Sequence, residues 1–492
     1  MTTAIAEGNE MLVQAIRRCR EAQRRWQDEP IRKRLRPVKE LRRLLVAESE
    51  RLCDAVAKDI GKPAGETLGE VLGVADACRF LQRQAASLLK PRRVPRSSRP
   101  LWLFGQSDTV HRRPRGVVGI IGTWNYPILL NGVQMVQALT AGNAVVWKPS
   151  EVAPASADVL FDLFLRAGFP DDLMLKRPAT RAGGPILVEA DIDHLVFTGG
   201  AEVGRQIATR LGQRLISSTM ELSGKDALFV LPDADVSLAS AAAWFGFTLN
   251  RGQTCIAVRR AFVHRSLYAQ FTQELEPLAA TTKPMRLALA SQARQAEQLV
   301  EDAVGKGGRV LGGAPGNGKA HQEDEFRPTI IADARSDMDL CHEASFAPLM
   351  AVLPYDDLED ALRADAVCPY GLGASVFTRR PAQAEGLARR LRTGFVTVND
   401  VIAPTAHPAT PFGGVGHSGW GVTQGAEGLL EMTVPQVVSV RGGTFRPHYD
   451  LAVGKSSGNE ELMRGLLQMS HGAGFLQRWR GFWQVFRVIR KK

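Results

Sequence analysis

The sequence predicts an α/β protein built around parallel β-sheet, and three observations support this fold class. Two short apolar runs, at residues 117–121 and 144–147, have the length of strands that are buried on both faces. The segment between them, residues 129–139, has a helical pattern, so the three segments form a βαβ unit. A third run, at residues 194–198, leads through a glycine-rich turn into a helical segment at residues 205–211. This alternation predicts a parallel sheet with helices on its faces.

The N-terminal region, residues 11–90, has the apolar spacing of successive amphipathic helices, interrupted near Pro30, Pro37 and residues 61–63. Basic residues crowd the stretch 32–43, which is helical in pattern and lacks interleaved aromatic residues. A solvated helix face is therefore favoured there, and no nucleic-acid partner is predicted. An anionic membrane surface remains an open alternative for these charges.

Length and composition are those of an ordinary globular protein. With 492 residues, 45% of them hydrophobic and 23% charged, the chain is long enough for two or three domains. Residues 1–10 lack a basic stretch followed by an apolar run, so no signal peptide is expected. No window approaches the roughly 18 uninterrupted apolar residues of a spanning helix. Six scattered cysteines without metal-ligand spacing predict free thiols, a cytoplasmic location and no metal site.

Glu221 and Cys255 carry the side chains with the most distinctive chemistry. A cysteine thiolate is a nucleophile that can form a thioester, and a carboxylate can take a proton from the water that hydrolyses it. Each also has an ordinary interpretation, Cys255 as an inert core residue and Glu221 as part of a solvated turn. The glycines at residues 199–204 would let helix amides approach a phosphate, but they do not form GxGxxG. A turn of this kind is more often only a tight turn.

Residues 313–319 fit the spacing GxxxxGK of a phosphate-binding loop. However, Ala320 stands where such a loop needs Ser or Thr for magnesium, and no apolar strand leads directly into the segment. A flexible surface loop is therefore predicted there.

Five motifs in a fixed order give the chain a resemblance to a known family. They are Trp124-Asn125-Tyr126-Pro127, Lys148-Pro149-Ser150-Glu151, Phe197-Thr198-Gly199-Gly200, Glu221-Leu222-Ser223-Gly224-Lys225 and Gly252-Gln253-Thr254-Cys255. Together with residues 411–419 they resemble the aldehyde dehydrogenase superfamily over residues 11–445. The first two motifs and the short N-terminal region are similar to the class-3-like branch, whose members favour fatty and aromatic aldehydes and form dimers.

The resemblance implies a role for each matching residue. Cys255 would attack an aldehyde carbonyl, the Asn125 side-chain amide and the Cys255 N–H would stabilise the oxyanion, and Glu221 would activate the hydrolytic water. The implied cofactor is NAD or NADP. The residues expected to bind it are Trp124, Lys148, Ser150, Glu151, Gly199, Gly200, Gly204 and Phe346.

The implied reaction is NAD(P)-dependent oxidation of a medium- or long-chain aliphatic or aromatic aldehyde to the carboxylic acid. Two alternatives are kept. An acyl-thioester reductase would run the same cysteine chemistry in reverse, although a retained Glu221 would waste the acyl group by hydrolysis. A non-catalytic relative would act only in binding, although Asn125, Glu221 and Cys255 are all present.

The resemblance also implies the domain plan of the aldehyde dehydrogenase fold, with a Rossmann-like cofactor domain, an α/β catalytic domain and a β arm that forms a homodimer. The expected boundaries are residues 1–100 and 111–219 for the cofactor domain, 220–425 for the catalytic domain, 101–110 and 430–445 for the arm, and 446–492 for a C-terminal tail.

The sequence departs from the family in two segments near the implied cofactor. The usual Glu-Glu-Ile-Phe-Gly-Pro motif is here residues 343–348, with Ala344 in place of the second Glu, which grips the nicotinamide ribose in relatives. Phe346 keeps the ring that packs beside the nicotinamide. Gly200 replaces a more common Ser. Glu151 should repel the 2′-phosphate of NADP, yet class-3 relatives tolerate both cofactors, so the choice stays open.

The tail ends in a basic and aromatic segment, residues 474–492, with five Phe or Trp residues at helical spacing, six Lys or Arg residues and no acidic residue. On a helical wheel the aromatic residues fall on one face and most cations on the other. Two interpretations stay open: a helix lying in an anionic membrane interface, and a helix that packs on the enzyme or its dimer mate and caps the substrate funnel.

Overall fold

The computed structural model describes residues 2–312, 323–443, 449 and 457–490, which fall into two units. The first unit comprises residues 1–88 and 114–434, and the second comprises residues 89–113 and 435–492. The GxxxxGK segment at residues 313–319 and the neighbouring Ala320 lie outside the described residues, as do Lys491 and Lys492 of the basic tail.

Helices account for the N-terminal region, the connections between strands and the C-terminal end. Among the described residues they are α1 (Thr2–Gln27), α2 (Ile31–Ala47), α3 (Ser49–Ile60), α4 (Ala64–Leu88), α5 (Leu129–Ala141), α6 (Pro154–Arg166), α7 (Gly183–Glu189), α8 (Ala201–Gln213), α9 (Val236–Thr248), α10 (Arg265–Thr281), α11 (Ala290–Gly305), α12 (Leu358–Ala366), α13 (Pro381–Ala388), α14 (Gly425–Glu431), α15 (Ser457–His471) and α16 (Phe475–Arg490).

The strands of the described residues are β1 (Arg92–Arg93), β2 (Gln106–Pro114), β3 (Val117–Ile121), β4 (Ala144–Lys148), β5 (Met174–Lys176), β6 (His194–Thr198), β7 (Ser217–Glu221), β8 (Asp226–Val230), β9 (Val258–His264), β10 (Met285–Arg286), β11 (Arg309–Leu311), β12 (Glu325–Phe326), β13 (Thr329–Ala332), β14 (Leu349–Tyr355), β15 (Tyr370–Gly371), β16 (Gly373–Phe377), β17 (Phe395–Val398), β18 (Val415–Gly416), β19 (Gly419–Trp420) and β20 (Thr433–Arg441).

A six-stranded sheet in the first unit contains the predicted βαβ alternation. Its order is β19-β7-β6-β3-β4-β5, and every pairing is parallel except that of β19 with β7. β3 and β4 are buried along their whole length, as expected of strands covered on both faces. The predicted α/β fold class and parallel sheet are confirmed. α8 begins at Ala201, four residues before the predicted helical segment, because Gly200 already serves as its N-cap.

A seven-stranded sheet in the same unit has the order β11-β13-β14-β9-β8-β16-β17, parallel except at β11–β13. Two apolar clusters cover its opposite faces, one around Phe229 and Phe262 and the other around Phe247 and Phe271. The predicted boundary between residues 219 and 220 falls inside β7, and both sheets lie in one unit. The division into cofactor and catalytic domains therefore stays a prediction.

The N-terminal helices show two of the three predicted interruptions. α2 begins directly after Pro30, and α3 ends at Ile60, where Gly61 caps it with a left-handed φ of 63°. The interruption expected at Pro37 is wrong, because α2 continues through it. Pro37 is buried beside Val38 and Leu41, so packing of this face offsets the one amide hydrogen bond that proline lacks.

The second unit contains a three-stranded sheet of order β1-β2-β20 and a hairpin of α15 and α16. The arm expected at residues 101–110 is extended only from Gln106, because residues 101–103 form a 3₁₀ turn and Gly105 turns the chain with a φ of 80°. Residues 444 and 445 of the predicted arm lie outside the described residues. Among the described residues, no helix is long and apolar enough to cross a membrane.

Candidate active site

The candidate site lies where several parallel strands of the six-stranded sheet end. Ile121 at the end of β3 lies beside Lys148 of β4, and Thr198 at the end of β6 lies beside Glu221 of β7. The carboxyl ends of parallel strands share one edge of a sheet, and the loops that follow them meet there. Asn125 belongs to the loop after β3, so the fold brings it to the same edge as Glu221.

Two cavities meet at Cys255. The first, which we call the larger cleft, has a volume of about 730 Å³, and its lining includes Asn125 and Glu221. The second, which we call the apolar cavity, has a volume of about 340 Å³. Cys255, Leu130 and Phe412 line both. A thiol at this junction can be approached by one molecule from each side.

Cys255 is held at the junction by an unusual turn. Asn250 and Arg251 have φ of 50° and 57°, and Gly252 has a φ of 72°. A Cβ on Gly252 would overlap the backbone at Ala347, so a glycine is required there. Arg259 fixes this approach, because its guanidinium donates to the carbonyl oxygens of Gly252 and Ala347.

The Cys255 thiol is not ionised by its surroundings. Burial, and then the carboxylates of Glu221 and Asp226, raise its pKa to about 12. Burial also raises the pKa of the Cys78 thiol to about 12, so ionisation does not distinguish Cys255 from an inert cysteine. Its place at the junction of the two cavities does. Proton removal from this thiol therefore needs a base.

Glu221 is a buried carboxyl group that can provide such a base. Burial raises its pKa to about 7, although the Thr423 and Thr198 hydroxyls and the Gln134 amide, which donate to it, lower the pKa. A carboxyl group with a pKa near neutrality can both accept and release a proton at physiological pH. Glu221 is thus placed in the cleft with the protonation behaviour of a general base.

Asn125 is fixed by hydrogen bonds at both ends of the residue. Its side-chain Nδ2 donates to the Gln253 carbonyl at 2.9 Å, and its Oδ1 accepts from the Thr123 hydroxyl at 2.7 Å. Its backbone carbonyl accepts from Asn250 Nδ2 at 3.0 Å and from Lys62 Nζ at 2.6 Å. The amide carries a second N–H that can point toward an oxyanion beside Cys255.

The residues predicted to bind the cofactor fall into two groups. Trp124, Gly199, Gly200 and Phe346 line the larger cleft, where the rings of Trp124 and Phe346 have centroids 6.1 Å apart. Lys148, Ser150 and Glu151 lie at the end of β4 and are not among the residues lining the cleft, and neither is Gly204. A Cβ on Gly204 would overlap the Leu222 side chain, so this glycine is explained by packing of α8.

The larger cleft fits a dinucleotide at the start of α8. Gly200, its N-cap, has no side chain to fill the cleft, and no side chain of the described residues caps the free amides of the first turn. Such amides, at the positive end of a helix, bind phosphate.

At the end of β4, Glu151 accepts from Lys148 Nζ at 3.0 Å and from Arg181 Nε at 3.2 Å. Burial opposes ionisation of Glu151, but these hydrogen bonds and its own backbone N–H lower its pKa overall.

Ala344 lies in the wall of the larger cleft, between Glu343 and Phe346. Its carbonyl accepts from Gln295 Nε2 at 3.2 Å. The methyl side chain offers no hydrogen bond to a sugar, so this wall lacks the carboxylate that the family resemblance leads one to expect.

The apolar cavity is lined mainly by aliphatic and aromatic side chains, including Leu129, Leu249, Ile256, Ile402 and Phe412. No lysine or arginine occurs among the described residues that line it.

Glu66 and Glu70 are the acidic residues in that lining. Glu66 differs from Glu70 in its hydrogen bonding. Its Oε2 is buried with no hydrogen-bond partner in the described part of the chain, and burial raises its pKa. Two carboxyl groups, and no lysine or arginine of the described residues, therefore border the cavity.

Sequence reasoning missed four polar residues that hold the site. Thr423 and Gln134 bond Glu221, and Lys62 and Glu70 bond the loop that carries Asn125. None belongs to a recognisable motif. A lysine before Pro63 and a glutamate eight residues after that lysine are also common at the start of an ordinary helix. The sequence therefore does not mark this pair as part of the site.

Known proteins resemble this chain along most of its length. The model of the aldehyde dehydrogenase family matches residues 1–438. The chain is 32% identical over 491 residues to 4,4'-diapolycopene aldehyde oxidase of Methylomonas sp, covering 98% of this chain and 91% of that protein. It is 32% identical over 442 residues to a Mycobacterium ulcerans protein named as an NADP(+) succinate-semialdehyde dehydrogenase, covering 86% and 83%. Among solved structures, the NAD+ complex of aldehyde dehydrogenase from Bacillus cereus superposes with a TM-score of 0.82 at 29% identity, covering 88% and 89%.

Proposed function

This chain belongs to the aldehyde dehydrogenase family, whose members oxidise aldehydes with NAD or NADP, and we propose that it oxidises an apolar aldehyde to the carboxylic acid through a thioester on Cys255. The observation that carries the proposal is the position of Cys255 between two different cavities, one with many polar side chains and large enough for a dinucleotide, the other mainly apolar. The substrate enters through the apolar cavity, and the cofactor occupies the larger cleft.

The first step joins the Cys255 sulfur to the aldehyde carbon. Because the thiol has a raised pKa, its proton passes to a base as the sulfur attacks, and the ionised Glu221 in the same cleft accepts it. Glu221 then returns this proton to solvent. The product is a thiohemiacetal whose former carbonyl oxygen carries the negative charge.

The oxyanion is stabilised by Asn125 and by the backbone N–H of Cys255. The side-chain amide of Asn125 accepts from Thr123 and donates to the Gln253 carbonyl, and the Asn125 backbone carbonyl accepts from Asn250. These bonds fix the residue before the charge develops, so little reorganisation is needed. Loss of one such donor typically costs about 3 kcal/mol of barrier. When bound, NAD or NADP supplies the acceptor for the hydride of the aldehyde carbon. Gly199, Gly200, the first turn of α8, Trp124 and Phe346 would hold it.

The last step releases the acid. Glu221 takes a proton from a water molecule, and the resulting hydroxide attacks the thioester carbon. The Cys255 sulfur leaves as the carbon–sulfur bond breaks and takes the proton back from Glu221, which restores the thiol and the ionised base. The pKa of Glu221, about 7, keeps a large share of the group ionised at neutral pH. Deacylation and acylation thus use the same base at different times.

The substrate class follows from the walls of the apolar cavity. Its aliphatic and aromatic lining suits a hydrocarbon chain, and burial of such a chain contributes about 0.8 kcal/mol for each CH₂ group. A substrate with a terminal carboxylate, such as succinate semialdehyde, would meet Glu66 and no lysine or arginine lining the cavity. We therefore favour a medium- or long-chain aliphatic or aromatic aldehyde, in keeping with the apolar substrate in the name of the Methylomonas relative.

A panel of aldehydes tests this proposal. Reduced cofactor is followed by its absorbance with straight-chain aldehydes of increasing length, benzaldehyde and succinate semialdehyde, each with NAD and with NADP. We expect kcat/KM to rise with chain length and succinate semialdehyde to be the poorest substrate. A preference for succinate semialdehyde would refute the substrate class, and no turnover with any aldehyde would refute the activity.

Homodimer formation is supported by the sheet of the second unit. β20 lies at the edge of this sheet, with seven consecutive exposed residues at positions 434–440, among them four valines. An exposed apolar edge strand pairs readily with another strand. Sedimentation equilibrium of the full chain tests the dimer, and Val438→Pro should weaken it.

Contact with an anionic membrane is supported by α16. Its buried residues are Gly481, Val485 and Val488, and they pack on α15. The sequence predicts that most cations occupy the face opposite the aromatic residues, but in the structure this face makes the contact with α15. The aromatic rings form a continuous exposed stripe, Phe475-Trp479-Phe482-Phe486. Arg480 and Arg487 are exposed on the same helix, where lipid phosphates would meet them.

Vesicle co-sedimentation tests the membrane contact. The full chain should pellet with phosphatidylglycerol–phosphatidylcholine vesicles and less with pure phosphatidylcholine, and Arg480→Gln/Arg487→Gln should abolish the difference. Arg24→Gln/Arg25→Gln on α1, which removes the same charge from exposed positions elsewhere, is the control. The membrane contact would be refuted if both double variants pelleted equally with the anionic vesicles. It would also be refuted if the aromatic stripe caused the chain to self-associate and the chain did not bind vesicles.

A further inference from the structure

A buried ion pair lies beneath the loop that carries Asn125. Lys62 follows the turn that ends α3, and Glu70 lies on α4. Lys62 Nζ is 2.5 Å from Glu70 Oε1, and the exposed fractions of the two side chains are 0% and 1%. Neither residue takes part in the chemistry described above.

Both partners direct their remaining hydrogen bonds to residues 125–129. Lys62 Nζ donates to the Asn125 carbonyl at 2.6 Å, and its charge lies 4.0 Å from the centre of the Tyr126 ring. Glu70 Oε2 accepts from the backbone N–H groups of Ile128 and Leu129, at 3.0 and 3.1 Å. The pair thus binds the loop at its beginning, middle and end.

The same loop also contacts the turn before Cys255. The Asn125 carbonyl that binds Lys62 also binds Asn250 Nδ2, and the Tyr126 hydroxyl is 2.8 Å from the Thr254 hydroxyl. A shift of Asn125 would therefore change the position of its amide relative to Cys255. A displacement of about 1 Å in a reacting arrangement can cost on the order of 100-fold in rate.

Stability alone gives a poor account of this pair. Removing two charges from water is costly, and apolar residues of similar size often stabilise a protein as well or better. What an apolar pair could not do is donate to the Asn125 carbonyl and accept from two backbone N–H groups at once.

We propose that Lys62 and Glu70 are positioning residues, which hold the Asn125 amide where the oxyanion forms. This role rests on the proposed function, because it requires an oxyanion beside Cys255. It predicts that Lys62 affects the first half-reaction and affects it only through Asn125.

The test is a double-mutant cycle on the burst of reduced cofactor. Lys62→Met should slow the burst by about 10- to 100-fold in the wild-type chain, but less than about 3-fold in the Asn125→Ala chain. Lys62→Arg, which keeps a charged donor, should recover part of the rate. Equal slowing by Lys62→Met with and without Asn125 would overturn the proposal, since the effect would not pass through that residue.

Folding must be separated from positioning. Lys62→Met leaves the Glu70 charge buried without a partner, and the variant can lose stability for that reason. Lys62→Met/Glu70→Gln removes both charges and keeps an acceptor for the loop, so its thermal midpoint should recover while the burst stays slow. Arg20→Met, which breaks a half-buried pair with Asp193 elsewhere in the first unit, is the matched control and should lower the midpoint without slowing the burst.

The outcomes distinguish this inference from the function beneath it. If the Lys62→Met/Glu70→Gln variant gave a burst as fast as that of the wild-type chain, the positioning role alone would be refuted. Absence of any burst in the wild-type chain, with NAD or NADP and every aldehyde of the panel, would refute the proposed function and the positioning role together. Cofactor affinity, measured by quenching of tryptophan fluorescence, should change less than about 2-fold in either Lys62 variant.

Discussion

The larger cleft and the apolar cavity differ in what their walls can do, although they share Cys255. In the cleft, buried polar groups are paired and preorganised, as the three donors to Glu221 and the hydrogen bonds around Asn125 show. In the apolar cavity, the lining offers surface and shape, and Glu66 contributes a buried carboxyl oxygen that has no hydrogen-bond partner among the described residues. Chemistry is thus assigned to one wall and substrate selection to the other, so changes on the two sides should have different kinetic signatures.

The largest effect is expected at the junction itself. Cys255→Ser should lower turnover by about 10⁴-fold or more, because a serine hydroxyl in this buried site is a far weaker nucleophile. Cofactor affinity should stay within about 3-fold, since the cleft keeps its shape. Cys53→Ser, at a buried thiol outside both cavities, is the control and should keep turnover within a few-fold. Near-wild-type rates in Cys255→Ser would contradict the mechanism on both sides of the junction.

The next effect lies wholly within the larger cleft. Glu221→Gln should reduce steady-state turnover by about 10²- to 10³-fold, because an amide cannot take a proton from water. Because the proposed mechanism uses Glu221 in both half-reactions, the burst of reduced cofactor should also be slowed, and the acyl-enzyme that does form should accumulate. Intact-mass spectrometry after mixing with aldehyde and cofactor detects the added acyl group. A burst at the wild-type rate would show that Glu221 acts only in deacylation and that another base deprotonates Cys255, whose thiol has the raised pKa described above.

Acidity should affect the cleft in proportion to the ionised fraction of Glu221. Its folded-state pKa of about 7 means that the base is progressively protonated below neutrality, so turnover should fall about 50-fold between pH 7 and pH 5. Burial also raises the pKa of Asp226 to about 7, which makes Asp226→Asn a matched control. The acid limb should persist in Asp226→Asn and disappear from the residual activity of Glu221→Gln. The opposite result would assign the limb to Asp226.

The sequence could predict those features of the site that are encoded in contiguous motifs. The βαβ run over residues 117–148 and the Gly-Gln-Thr-Cys turn have local patterns, so the parallel sheet and the prominence of Cys255 were accessible from the sequence. The Thr423 contact to Glu221 and the Lys62 contact to Asn125 join residues far apart in the chain, and no local signal marks them. In the tail, the helix of residues 475–490 is confirmed, but its cations could not be placed correctly because the partner helix α15 was not predicted.

A smaller effect is expected where the polar wall is incomplete. Ala344→Glu should tighten cofactor binding by about tenfold, because a carboxylate that accepts from a ribose hydroxyl makes a charge-assisted hydrogen bond. Fluorescence quenching measures the affinity, and Ala344→Gln, which adds similar bulk without charge, is the control. Weaker binding in both variants would show that Phe346 and Gln295 pack around a small side chain at this position.

The smallest effect tests the apolar side alone. Glu66 borders the cavity with a buried carboxyl oxygen that has no partner among the described residues, so a second carboxylate brought in by a substrate would be repelled. Burial raises the pKa of Glu66, and the positive charges of Lys62 and Arg251 nearby, which lower it, also offset part of the repulsion, so the effect stays modest. Glu66→Gln should therefore raise kcat/KM for succinate semialdehyde by only about 5-fold, or roughly 1 kcal/mol, and change kcat/KM for hexanal by less than about 2-fold.

The control is Glu50→Gln, which changes an exposed glutamate in the first turn of α3. Because the change removes charge without altering size, a parallel rise for hexanal would mean that Glu66 acts through the shape of the cavity. A fall for both substrates would mean that Glu66 supports the cleft after all, and the division of labour between the two walls would have to be abandoned.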